Sequence, residues 1–91
     1  MSEAEREELV SFLAMNPEAG TSLGGGLRKL RFARSGGGKS GGYRTIYVFG
    51  SAAAPLFLVT VFAKNEKSNL SRSEQAAAVE LSKQLLRNYG V

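Results

Sequence analysis

Ninety-one residues, 43% of them hydrophobic, suffice for one small domain, residues 1–91; a chain this short buries roughly 60–65% of its unfolded surface, so the core is thin. With no Cys and no His, disulfides and thiolate chemistry are excluded, the commonest general base is missing and a zinc centre lacks its usual ligands. The net charge of +4 is segregated: residues 1–18 hold one Arg and five Glu, residues 19–65 seven cations and no acid, and residues 66–91 four cations and three Glu.

Ser2 to Met15 is expected to be a helix. Ser2 with Glu5 reads as a capping box, and the early glutamates suit the positive helix end. Leu9, Phe12 and Leu13 fall at i, i+3, i+4 and make its apolar face, with Val10 beside them. Asn16-Pro17 ends it, because the residue before proline avoids the α region. Glu18 to Gly26 reads as loop. Leu27 to Arg34 is expected as a strand, with Leu30 and Phe32 on one face, Arg28 and Arg34 towards its ends, and Lys29 and Arg31 on the other face. A glycine-rich loop, Ser35 to Gly42, leads to a second strand, Tyr43 to Phe49. After a turn at Gly50–Pro55 comes a third strand, Leu56 to Ala63. Its sequence LFLVTVFA is apolar almost throughout, which predicts burial on both faces and the central place in the sheet. A polar connection, Lys64 to Leu70, precedes a helix capped by Ser71 with Glu74. Ala78, Leu81 and Leu85 form its apolar stripe, flanked by Val79 and Leu86, and it frays near Asn88. Short connections between the strands imply an antiparallel meander. The fold class is therefore α+β: a small antiparallel sheet with an N-terminal and a C-terminal helix.

The stretch Gly26 to Tyr47 carries six of the twelve cations, Arg28, Lys29, Arg31, Arg34, Lys39 and Arg44, and no acid. Such a field suits nucleic acid or another polyanion. A nucleotide-binding P-loop is the first candidate, since Ala33 to Ser40 (ARSGGGKS) is close to that pattern. The mechanism needs a helix directly after the Lys-Ser, and here Gly41-Gly42 and a strand follow, so that reading is rejected. A Mg²⁺-dependent nuclease needs clustered carboxylates, and no Asp or Glu lies between Glu18 and Glu66. No metal or other cofactor is expected, which leaves cation chemistry. Three adjacent antiparallel strands bring Lys29 and Arg31, Arg44, and Lys64 at the end of the third strand onto one patch. Crowded cations disfavour one another's charge, the condition under which a lysine serves as a base. Arginine instead holds phosphate bidentately and stabilises its transition state. Tyr43 and Tyr47 either pack across strands or stack a base. Arg28, Arg34, Lys39, Asn65 and Lys67 complete the candidate RNA contacts. No apolar run approaches the ~20 residues of a membrane span, so no membrane partner is expected.

The segments GGLRKLRFAR, GKSGGYRTIY and FLVTVFAKNEKSNLS, in this order, resemble the RelE/HigB-type toxins of bacterial toxin–antitoxin pairs, most closely a HigB-like subgroup. The likeness runs from about Asn16 to Leu86. It implies a small twisted antiparallel sheet with helices packed on it, RelE/ParE-like. It implies a cytoplasmic, metal-independent endonuclease that cuts mRNA in the ribosomal A site and so blocks translation. In that chemistry the 2′-OH attacks the adjacent phosphate, leaving a 2′,3′-cyclic phosphate, and basic side chains act as base, acid and clamp. The positions implied are Lys29, Arg31, Arg44 of the GYR and Lys64 of the AKNE. The implied partner is a cognate antitoxin with a helix-turn-helix domain. Three features depart from the pattern. Leu70-Ser71-Arg72 stands where some members carry a Tyr, and Asn65 where some carry an Arg. The family's usual first strand also has no counterpart before Ser2, which predicts a bare sheet edge and a truncated or late start. Two other functions fit the same resemblance: a ParE-like poison of DNA gyrase, and a non-catalytic, partner-bound remnant.

Overall fold

The computed structural model describes residues 3–33, 42–51, 55–63 and 70–89. In chain order these form α1 (Glu3–Met15), β1 (Thr21–Gly24), β2 (Leu27–Ala33), β3 (Gly42–Val48), β4 (Phe57–Ala63) and α2 (Arg72–Asn88). The strands make one antiparallel sheet in the order β1-β2-β3-β4. This is the expected α+β meander between two helices, with one strand more than the sequence suggests. β1 lies in the stretch read as loop. Its sequence TSLG has one large apolar residue, Leu23, and so carries no period-two signal. The turn makes the strand: Gly24, Gly25 and Gly26 have φ of 106°, 60° and 88°, a region that glycine enters without steric cost. A Cβ on Gly26 would also meet Leu86 Cδ1 at 2.5 Å, so the bare backbone lets α2 approach.

Register assigns the faces. Directly opposed residues share a face, so one face carries three rows across β2, β3 and β4: Leu27, Val48, Phe57; Lys29, Ile46, Thr60; and Arg31, Arg44, Phe62. The opposite face carries Arg28, Tyr47, Leu58; Leu30, Thr45, Val61; and Phe32, Tyr43, Ala63. The first face meets α2, where Leu86 packs with Leu27, Ile46 and Val48. The second meets α1, where Leu9 and Leu13 pack with Tyr47, Leu30 and Val61. The sheet is thus the middle of three layers, and each fully buried leucine contributes roughly 1.5–3 kcal/mol.

Both helices differ from expectation in detail. In α1, Glu5, Leu9 and Leu13 are the buried residues, while Phe12 is 39% exposed and leans on Phe32 with ring centroids 6.2 Å apart. Glu5 is buried, and its Oε1 accepts from the Tyr43 hydroxyl at 3.5 Å. Its expected capping partner, Ser2, lies outside the described residues. In α2 the capping box forms as predicted: Glu74 N donates to Ser71 Oγ at 3.2 Å and Ser71 N to Glu74 Oε1 at 2.8 Å. The buried stripe runs through Ser82 and Leu86, however, and Leu81 is exposed. Ser82 tolerates burial because its hydroxyl donates to the Ala78 carbonyl at 2.8 Å.

Among the described residues β4 is an edge strand, where the sequence predicts the centre. The centre belongs to β2 and β3, and in β3 every residue from Tyr43 to Val48 is buried except half-buried Arg44. The expected burial on both faces is not reached either: no described side chain of β4 is fully buried, and Leu58 and Val59 are exposed. A continuous apolar run carries no information about whether both edges are paired.

Thr45 supplies a stability test. Its hydroxyl is fully buried and has no hydrogen-bond partner among the described residues. Replacing a buried, unsatisfied hydroxyl by a methyl removes a desolvation cost. Thr45→Val is expected to raise stability by about 1 kcal/mol, measured as a higher urea midpoint with unchanged slope.

Candidate nucleic-acid interface

The α2-side face divides into two halves. The Leu27, Val48, Phe57 row is apolar and lies under the helix. The Arg31, Arg44, Phe62 row lies two positions further along each strand pair, with Lys29 between. Strand alternation on β2 puts Lys29 and Arg31 on this face. The antiparallel register then sets Arg31 directly opposite Arg44. Side chains so opposed have Cβ atoms about 4.5–5.5 Å apart, and like charges in that relation are destabilising. The pairing therefore works against the fold.

Exposure differs across the group. Arg31 is exposed, whereas Lys29 and Arg44 are half-buried. The Nε of Arg44 is buried and makes no hydrogen bond among the described residues. A desolvated guanidinium donor without an acceptor is costly. The arrangement can bind an oxyanion. Arg31 and Arg44 each present a planar fork of donors suited to a phosphate, and Lys29 adds a compact ammonium on the same face.

The other predicted contacts separate. Tyr43 and Tyr47 both belong to the α1-side face, and they are 6% and 0% exposed. The Tyr47 hydroxyl donates to the Pro17 carbonyl and accepts from Gly20 N, both at 2.9 Å. Of the two roles open to these rings, the structure shows the packing one; neither can stack on a base without leaving the core. Arg28 is on that face as well. Its Nη1 donates to the Gly20 carbonyl at 2.6 Å and to the Glu18 carbonyl at 3.3 Å, so it clamps the connection between α1 and β1. Arg34, Lys39, Lys64, Asn65 and Lys67 lie outside the described residues. Phe62, whose place opposite Arg44 sequence reasoning missed, is half-buried and packs against the α2-side core. The signal was there: counting alternate residues along LFLVTVFA and aligning it with GYRTIYV puts Phe62 across from Arg44.

The family model of the RelE toxin of the RelE/RelB toxin–antitoxin system matches residues 7–89. That span contains most of α1, the whole sheet and α2. The chain belongs to the RelE toxin family. RelE toxins pair with an antitoxin, so the cationic face described above is that of a toxin with a protein partner. Among the described residues no group of three or more His, Cys, Asp or Glu could hold a metal ion. No helix among them is long and apolar enough to cross a membrane.

Proposed function

We propose that this RelE-family chain is a cytoplasmic, ribosome-dependent mRNA endonuclease that works without metal and blocks translation, and that it falls in the HigB-like subgroup. The observation that carries the reading is the Arg31–Arg44 pair, two directly opposed like charges on the sheet face that also holds Lys29. The donor set supports metal-free chemistry, since the chain has no His or Cys and no acid between Glu18 and Glu66.

In the proposed reaction the RNA 2′-oxygen attacks the adjacent phosphorus and gives up its proton to a base. The bond from phosphorus to the 5′-oxygen breaks, and that oxygen receives a proton. The products are a 2′,3′-cyclic phosphate and a 5′-hydroxyl. Arg31 and Arg44 hold the non-bridging oxygens as charge develops there. Arginine cannot release its proton, so proton transfer falls to the lysines, Lys29 and, by sequence, Lys64. The cognate antitoxin is expected to carry a helix-turn-helix domain.

Inducible expression followed by mapping of mRNA 5′ ends tests the reading. Codon-phased ends during growth arrest are the expected result. Arrest with DNA damage and intact mRNA would instead identify a ParE-like gyrase poison, and absence of arrest a non-catalytic remnant.

A further inference from the structure

Arg31 and Phe32 are neighbours on β2, and successive residues of a strand face opposite sides of the sheet. Arg31 therefore stands exposed on the α2-side face, across from Arg44, while Phe32 belongs to the α1-side face. There Phe32 meets Phe12, with ring centroids 6.2 Å apart. The two rings line a hollow of about 650 Å³ together with Ala4, Glu7, Glu8 and Ser11. Arg6, the one cation of α1, lies on the other flank of the helix with Val10 and Leu58. Glu7, Glu8 and Arg31 are all exposed and form no ion pair among the described residues. Aromatic faces beside carboxylates are the chemistry that takes a guanidinium, which stacks on a ring and forks to a carboxylate. One strand thus carries a guanidinium on one face and part of a guanidinium receptor on the other.

We propose that the Phe12–Phe32 hollow receives Arg31 of a second copy, so that copies associate head to tail and α1 of one covers the cationic face of the next. Sign selects this arrangement. Two-fold pairing puts the same patch of both copies together. Paired through α1, the copies set Glu3, Glu7 and Glu8 against themselves. Paired through the other face, they set Arg31 and Arg44 against themselves. The heterologous contact brings opposite charges together. Because it uses a different patch on each copy, it repeats along an open chain unless the rotation closes a ring. Where it forms, Glu7 and Glu8 occupy the donors of Arg31 that a phosphate would take, so self-association and RNA binding exclude each other. That consequence rests on the nuclease reading above; the contact between copies does not.

Sedimentation of the full chain over a range of concentrations tests the contact without reference to cleavage. The wild-type chain is expected to form species that grow past the dimer as concentration rises. The double variant Glu7→Gln, Glu8→Gln loses the receptor, and Arg31→Ala loses the donor. Each should weaken association at least about tenfold with an unchanged circular dichroism spectrum. An equimolar mixture of the two should form a dimer and nothing larger, since one variant keeps the arginine and the other the hollow. Cleavage supplies a second readout. Activity per molecule of wild type should fall as concentration rises. The glutamine double variant, altered away from the cationic face, should match the wild type when dilute and hold that rate when concentrated. A wild-type chain that stays monomeric at every concentration overturns the proposal. So does association that survives both variants, or a mixture that stays monomeric. A monomeric wild type whose binding to the antitoxin weakens when Glu7 and Glu8 are replaced would give the hollow to the antitoxin and overturn the second copy as its occupant. Association as expected, with no cleavage at any concentration, upholds the contact and overturns the nuclease reading alone.

Discussion

Arg44→Ala is expected to lower mRNA cleavage by about a hundredfold to a thousandfold, the usual loss when one preorganised donor to a developing oxyanion is removed. Thermal stability should hold or rise, because the substitution ends the juxtaposition with Arg31 and deletes a buried Nε that has no acceptor among the described residues. Loss of activity without loss of stability separates a phosphate ligand from a structural cation. Arg44→Lys should recover little, since an ammonium keeps the charge and loses the planar fork. Arg28→Ala supplies the contrast. That side chain holds the Glu18 and Gly20 carbonyls on the other face of the sheet, so it should cost stability and leave the cleavage rate of the folded protein intact. Single-turnover cleavage and thermal melts on the same preparations read both quantities. Full activity in Arg44→Ala would remove the assignment.

What the sequence disclosed follows from which interactions are local. Alternation along β2 correctly separated Lys29 and Arg31 from Leu30 and Phe32. The Ser71–Glu74 capping box marked the start of α2 to the residue. The strand order around the glycine loop followed from short connections. Three features depend on distant parts of the chain and stayed hidden. β1 exists because a left-handed glycine turn folds four weakly patterned residues against β2, and pairing rather than propensity stabilises it. The edge position of β4 could not be seen because helices on both faces and strands on both edges leave the same apolar signature in one strand. The burial of Tyr43 and Tyr47 is set by α1 lying across their face, and alternation alone says only that they share a face. The shared face of Lys29, Arg31 and Arg44 was legible because alternation on β2 and a short connection to β3 fix it locally. The aromatic beside it was not, because Phe62 joins Arg44 only through the β3–β4 register.

Tyr47 provides the sharpest test of that distinction between packing and recognition. Its ring is fully buried, and its hydroxyl joins Pro17 and Gly20, which carry the chain from α1 into β1. The fit there is close: a Cβ on Gly20 would lie 2.7 Å from the Lys29 carbonyl and 2.8 Å from the Tyr47 hydroxyl. Tyr47→Phe keeps the ring and orphans the Gly20 N–H and the Pro17 carbonyl, at an expected cost of about 1–3 kcal/mol. Tyr47→Ala adds a large cavity between the sheet and α1, for an expected total of at least about 3–5 kcal/mol. Small domains have about 5–15 kcal/mol in all, so the alanine variant should be largely unfolded at 37 °C. Tyr43→Phe removes the hydroxyl that donates to Glu5 Oε1 at 3.5 Å and should also lower stability. Denaturant melts give these differences directly. A base-stacking role predicts the reverse pattern: unchanged melting in both phenylalanine variants, because phenylalanine stacks as well as tyrosine, and weaker substrate binding when either ring is removed. The hydroxyl therefore decides the question, since only a packing role makes its removal costly.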